Sequence, residues 1–201
     1  MIKIHHLKQS RSTRIIWLLE ELGVEYTVVS YDRDPATRLA PAEMRKIHPL
    51  GKAPIVEIND NVMVESAAII EYLLDQYAPD SLRPAKTDAD YPGYLQWLHF
   101  AEGSAMLPVI LSLFLGSIED KSAPVFGYAQ KEAELDFSYI NQTLADSSYF
   151  CGEDFTAADI MMSTVLMLAQ MQGIIASYPH IQAYLKRIQQ RPAFIKAASF
   201  D

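Results

Sequence analysis

The chain has 201 residues, half of them hydrophobic and 21% charged, with a formal net charge of −8. That length holds one large domain or two small ones, the composition is that of a soluble globular protein, and the acidic balance excludes nucleic acid as a partner, which needs a basic face. The single cysteine, Cys151, excludes an internal disulfide framework and suits a reducing compartment, so a cytoplasmic location is expected.

Ile2, Ile4 and His6 alternate with Lys3 and His5, which predicts a strand over residues 2–7 and not a leader, since no apolar core follows. Helical spacing of Ile15, Leu18, Leu19 and Leu22 predicts a helix over 14–22, with Ser12 as a candidate N-cap and Gly23 as its C-terminal stop. The β-branched and aromatic run 26–31 is a second strand, and 41–47 is at best a short helix. Residues 55–58 and 62–64, joined by Asn59-Asp60-Asn61, make a hairpin. Pro54, just ahead of it, either opens a strand in the trans form or marks a cis turn. Ile69, Ile70, Leu73, Leu74 and Tyr77 place one stripe on a helix over 66–77. Residues 79–91 carry two prolines and no periodic pattern and are read as a linker.

Beyond the linker every segment reads as helix: 92–115 with a kink expected at Pro108, 124–144, the nearly all-apolar 157–172, and a last helix after Pro179 that Arg191-Pro192 ends. Thr156 and Asp159 have the spacing of a capping box ahead of the apolar helix. The longest apolar stretch, around Ile160 to Leu168, is interrupted by Ser163 and Thr164 and is too short for a bilayer, so no membrane partner is expected. The pattern is a small α/β domain over 1–78 and an all-α domain over 92–201.

Several stretches carry a family resemblance: Ser10-Arg11-Ser12-Thr13-Arg14, Leu18-Leu19-Glu20-Glu21-Leu22-Gly23, His48-Pro49-Leu50-Gly51-Lys52-Ala53-Pro54, Glu65-Ser66-Ala67-Ala68-Ile69-Ile70-Glu71-Tyr72-Leu73, and Thr156 to Asp159. In this order and spacing the chain resembles the soluble glutathione transferases, in particular bacterial and fungal members of the serine type. The resemblance implies a thioredoxin-like N-terminal domain, an all-helical C-terminal domain, a homodimer, and glutathione as co-substrate with a small apolar electrophile as its partner.

Carried onto this sequence, the resemblance makes Ser10 the catalytic contact to the glutathione sulfur. The backbone of Ala53, before a cis Pro54, would pair with the cysteinyl part of glutathione. Ser66 would take the γ-glutamyl carboxylate, Glu65 the ammonium and Lys52 the glycine carboxylate. Arg11 and Arg14 would add positive charge near the thiolate, and Ser12 and Thr13 compete with Ser10 for its role. Phe100, Met106, Leu107 and Phe114 are candidates to line an acceptor pocket, although core packing explains each as well. A glutathione-dependent disulfide or peroxide reductase on the same site, or a glutathione-binding protein without turnover, are the other readings. The five histidines show no metal-ligand spacing, so no metal is expected. Cys151 reads as a packed thiol and Glu102 as a solvated carboxylate.

Overall fold

A computed structural model describes residues 1–201. The chain divides into two compact units, Met1–Ser81 with Gln190–Asp201, and Leu82–Gln189.

In the first unit, β1 (Ile2–Leu7), α1 (Thr13–Leu22) and β2 (Tyr26–Tyr31) form a β-α-β crossover, followed by a 3-10 turn at Ala42–Lys46, β3 (Ile55–Ile58), β4 (Asn61–Met63) and α2 (Ser66–Tyr77). The four strands lie in the order β2-β1-β3-β4. β1 runs parallel to β2, with Ile2 opposite Tyr26, and antiparallel to β3, with Ile4 opposite Val56. This is the thioredoxin-like sheet. Because β1 is central, both its faces are covered: Ile2 and Ile4 are buried, as are the α1 residues Ile15, Ile16, Trp17, Leu18 and Leu19, while Leu7, on the other face, packs with Met44 and Ile55. Gly23 ends α1 at φ 64, where a side chain would be strained. Asn59 and Asp60, at φ 47 and 66, turn the β3–β4 hairpin with the two positive-φ positions such a tight turn needs.

The tail was expected to belong to the helical domain, and it does not. Pro192 starts a helix instead of merely ending one: α8 (Pro192–Ala198) lies against α1 in the first unit. Proline is favoured in the first turn of a helix, where its missing amide hydrogen costs nothing. The Phe194 ring meets Trp17 edge-on at 5.0 Å, and Arg191 clamps Glu21 with bonds of 2.6 and 2.8 Å.

The second unit is all helical: α3 (Tyr91–Phe100), a π turn (Ala101–Ala105), α4 (Met106–Leu115), α5 (Pro124–Asp146), α6 (Ala157–Met171) and α7 (Pro179–Ile188). α6 is its centre, with Ile160, Met161, Met162, Val165 and Leu166 fully buried. In place of an isolated kink at Pro108, the helix widens just before it. The Met106 amide donates to the Ala101 carbonyl, five residues back, which re-sets the turn ahead of a residue that has no amide to give. From Tyr91 to Leu115 the helical run is continuous over 25 residues, with an 18-residue window of mean hydropathy 1.6. It, and not the stretch around Ile160, is the longest apolar helix. By length and composition it could cross a bilayer, a test that the core helix of a soluble protein passes equally.

Asp159 anchors α6. Its carboxylate accepts the Thr156 amide at 2.8 Å and hydroxyl at 3.1 Å, the Phe150 amide at 3.1 Å and the Tyr184 hydroxyl at 3.0 Å. Burial raises the carboxyl to about 6, against the pull of these bonds. The expected capping box is therefore present and larger than its motif.

Candidate active site

Of the sequence-expected residues of the first unit, Ser10, Arg11 and Ser12 follow the C-terminal end of β1, and Arg14 of α1 bonds Ser66 at the N-terminus of α2. β1 ends at Leu7, and the turn that follows carries Ser10, half-buried, into the start of α1. Arg33, just past β2, holds this turn by donating to the Lys8 carbonyl at 3.0 Å and the Gln9 carbonyl at 2.7 Å. The N-terminal end of α1 thus lies beside Ser10, and its partial positive charge favours an anion there. Arg11 is half-buried on the same turn.

Ser12 occupies the cap position but does not cap. Its backbone is already helical and its hydroxyl makes no cap bond. That hydroxyl is fully buried and lies 2.7 Å from Ser10 Oγ and 2.9 Å from His6 Nδ1. The Ser12 amide donates to Ser10 Oγ at 3.2 Å. Burial between β1 and α1 explains the departure, since a buried hydroxyl follows its polar neighbours before a helix end that water can serve. Of the two serines, Ser10 is the one with an exposed side, and Ser12 stands behind it.

The second wall is the segment before β3. The Ala53–Pro54 bond is cis, as expected. The pairing of β3 with β1 begins at His5 opposite Ile55, so Ala53 stands ahead of the ladder and takes no part in it. Gly51 shapes the approach: it sits at φ 57, and a Cβ there would come within 2.6 Å of Arg45 Cγ. Lys52, next to it, is exposed.

Third comes the start of α2. Glu65 is exposed at φ 70 and ψ 107, a conformation costly for a residue with a side chain, of order 1–3 kcal/mol. It turns the chain so that Ser66 opens the helix. Arg14, although 1% exposed, reaches from α1 to donate from Nη1 to Ser66 Oγ at 3.1 Å. Because that oxygen accepts from Arg14, its own proton is left for another acceptor. Arg14 therefore acts on Ser66.

The four residues expected to line an acceptor pocket belong to the second unit and divide into two kinds. Met106 is buried in the core, and Phe100 packs edge-on against Trp97 and Tyr139. Leu107 and Phe114, seven residues apart on one helix face, are 48% and 70% exposed. Cys151 is half-buried, and burial pushes its thiol up to about 11, which makes it inert as a nucleophile. His5 and His6 point to opposite faces of β1: His5 contacts Tyr31 and Glu57, His6 contacts Ser12. Sequence reading missed three residues of this site, His6, Arg33 and Asp201. No local pattern marks them, because each acts across 20 or more residues of chain or from the far face of a strand.

The β2-β1-β3-β4 sheet with a cis-proline segment ahead of β3 and helices α1 and α2 defines a thioredoxin-like domain, and the second unit is an all-helical domain. The chain matches the family "Glutathione S-transferase, N-terminal domain" over residues 1–75 and "Glutathione S-transferase, C-terminal domain" over residues 105–192, and it belongs to the glutathione S-transferase family. It is 39% identical to glutathione S-transferase 3 of Schizosaccharomyces pombe, covering 96% of this chain and 85% of that one. With glutathione S-transferase 1 of Saccharomyces cerevisiae it shares 29% identity over 96% of this chain and 92% of that one. Among solved structures, a glutathione S-transferase from Actinobacillus pleuropneumoniae superposes with a TM-score of 0.91 at 36% identity, covering 99% of this chain and 92% of that one.

Proposed function

We propose that this protein is a glutathione transferase of the serine type, which binds glutathione in its first unit and adds the thiolate to small apolar electrophiles. The observation that carries the reading is the Arg14–Ser66 bond at 3.1 Å. It ties the first residue of α2 to the helix that starts beside Ser10, so that a carboxylate site and a thiol site are held by one rigid element. In this reading Ser66 takes the γ-glutamyl carboxylate, Glu65 the ammonium, the Ala53 backbone beside Pro54 the cysteinyl part, and Lys52 the glycine carboxylate. Ser10 donates to the sulfur. Leu107 and Phe114 present exposed apolar surface on one face of α4 in the second unit. A homodimer in the cytoplasm is the setting this reading expects. A disulfide reductase built on a protein cysteine is disfavoured, since Cys151 is the only cysteine and its thiol is raised.

A free thiol of pKa near 8.5 is roughly 3% thiolate at neutral pH. Lowering it by two units requires about 2.7 kcal/mol from Ser10 and the α1 terminus. Since nucleophilicity falls with basicity, with a slope of about 0.4–0.5, the net gain is only a few-fold near neutral pH. The rest of the acceleration comes from holding the electrophile beside the sulfur.

Ultraviolet difference titration of bound glutathione across the acidic and neutral range tests this directly. A thiolate band with a pKa well below that of the free thiol is expected. Ser10→Ala should return that pKa toward the free value with glutathione affinity within a few-fold. Its rate deficit should be roughly six-fold near pH 6.5 and vanish by about pH 8, where the less acidic thiol becomes the stronger nucleophile. A deficit independent of pH would remove thiol activation from Ser10.

A further inference from the structure

Behind Ser10 lies a continuous chain of polar atoms that thiol binding alone does not require. Ser10 Oγ is 2.7 Å from Ser12 Oγ, which is 2.9 Å from His6 Nδ1. On the far side of the same ring, His6 Nε2 lies 3.4 Å from Asp201 Oδ1 and 3.3 Å from the Phe200 carbonyl. His6 and Ser12 are fully buried. We propose that Ser12, His6 and Asp201 form a proton relay that takes up the proton of the glutathione thiol through Ser10.

The direction of the relay follows from donors and acceptors. Nε2 faces a carboxylate and a carbonyl, both acceptors only, so it carries a hydrogen in either state of the ring. Nδ1 then decides the polarity of everything before it. With Nδ1 unprotonated, Ser12 donates to Nδ1 and Ser10 donates to Ser12. The Leu7 carbonyl, 3.5 Å from Ser12 Oγ, is a weaker acceptor. Ser10 then offers the thiol only a lone pair. That is the arrangement for receiving an S–H proton, and the wrong one for holding a thiolate.

When the thiol ionises, its proton passes to Ser10 Oγ, the Ser10 proton to Ser12 Oγ, and the Ser12 proton to His6 Nδ1. One S–H bond breaks and one N–H bond forms, each hydroxyl ends with one proton, and no electron changes hands. The products are a thiolate and an imidazolium paired with Asp201. Ser12 now donates to Ser10, and Ser10 donates outward to the sulfur. The Ser12 amide keeps its bond to Ser10 Oγ throughout and holds the oxygen in place.

Asp201 is built for the charged state. It accepts the Gln9 amide at 2.6 Å and the Thr13 hydroxyl at 2.9 Å, which fix both oxygens. Burial would raise its carboxyl, but the bonds from His6, Gln9 and Thr13 outweigh that and hold it below the usual range. Arg33, engaged with the Lys8 and Gln9 carbonyls, also interacts electrostatically with it. On β2, the residue opposite His6 is the uncharged Ser30. Ser10 is the catalytic contact in the proposed function on which this inference rests; Ser12, His6 and Asp201 act through it.

The test counts protons in the intact protein. At neutral pH, glutathione is added while the ultraviolet thiolate band is measured, and proton release is obtained by calorimetry in two buffers of different ionisation enthalpy. The relay requires a full thiolate band with well under one proton released per thiolate, and conversion of the 15N-labelled His6 ring from neutral to imidazolium on binding. Asp201→Asn should restore release toward one proton and raise the thiol pKa by about one unit, or tenfold in the ionisation constant. A thiolate band with one proton released and an unchanged His6 ring would overturn the relay and leave the transferase reading standing. Absence of any thiolate band would overturn both.

Discussion

Replacing Ser66 with alanine should weaken glutathione binding by roughly 10- to 100-fold, the range expected for losing a hydrogen bond to a charged group. The pKa of the bound thiol should stay where it is, because the proposed function puts Ser66 at the other end of the peptide. Two features set the size of the effect. Ser66 is the first residue of α2, so in the proposed function its hydroxyl and the helix terminus act on the same carboxylate. Its oxygen is already taken by Arg14, so the hydroxyl is pre-oriented as a donor. The substitution also strips the buried guanidinium of an acceptor, so about 1–3 kcal/mol of stability should be lost with it. Lys52→Ala is the contrast: an exposed lysine acting as a point charge should cost no more than a few-fold. Titration calorimetry on the two variants measures both, and equal losses would contradict the placement of the carboxylate at α2.

Asp159→Ala should destabilise the protein by about 3–5 kcal/mol, among the larger effects a single substitution produces. Two backbone amides, at Phe150 and Thr156, and the Tyr184 hydroxyl would lose their acceptor in a dry interior. Each such loss costs about 1–3 kcal/mol. For a chain of this size the melting temperature should fall by roughly 10 °C or more. The same residue carries a pH signature. Its folded carboxyl is raised to about 6, while the unfolded one titrates near 3.8. Between those values the folded state holds the proton more tightly, so the stability Asp159 contributes is full at low pH and is lost as pH rises through about 6. The swing is about 3 kcal/mol for the two-unit difference. The excess stability of wild type over Asp159→Asn, from denaturant melts, should therefore be greater at pH 4 than at pH 7. An excess that grows with pH would mean that the hydrogen bonds outweigh burial and hold the group low.

The elements with strong periodicity were readable one by one. β1, β2 and α2 begin and end where alternation, β-branching and the 66–77 stripe place them. α8 was not readable, because Arg191-Pro192 is equally good as the end of one helix and the start of another. Which of these it becomes depends on Trp17 and Glu21, some 170 residues earlier. The Ser12 cap failed for a related reason. A serine ahead of a helix caps it when water surrounds the turn, and here the turn is packed against β1, where His6 and Ser10 offer closer partners.

What this sequence determines by itself is local: strand and helix periods, a hairpin loop at Asn59-Asp60-Asn61, of which Asn61 joins β4, the stop at Gly23 and the Thr156–Asp159 box. Those signals work because each depends on neighbours within a few residues. Only the tertiary structure decided that Arg14 serves Ser66, that Arg33 holds the Ser10 turn, and that Asp201 meets His6 across almost the whole chain. Buried polar groups must find partners wherever the packed chain brings them, and the partner's position in the sequence carries no mark of the meeting.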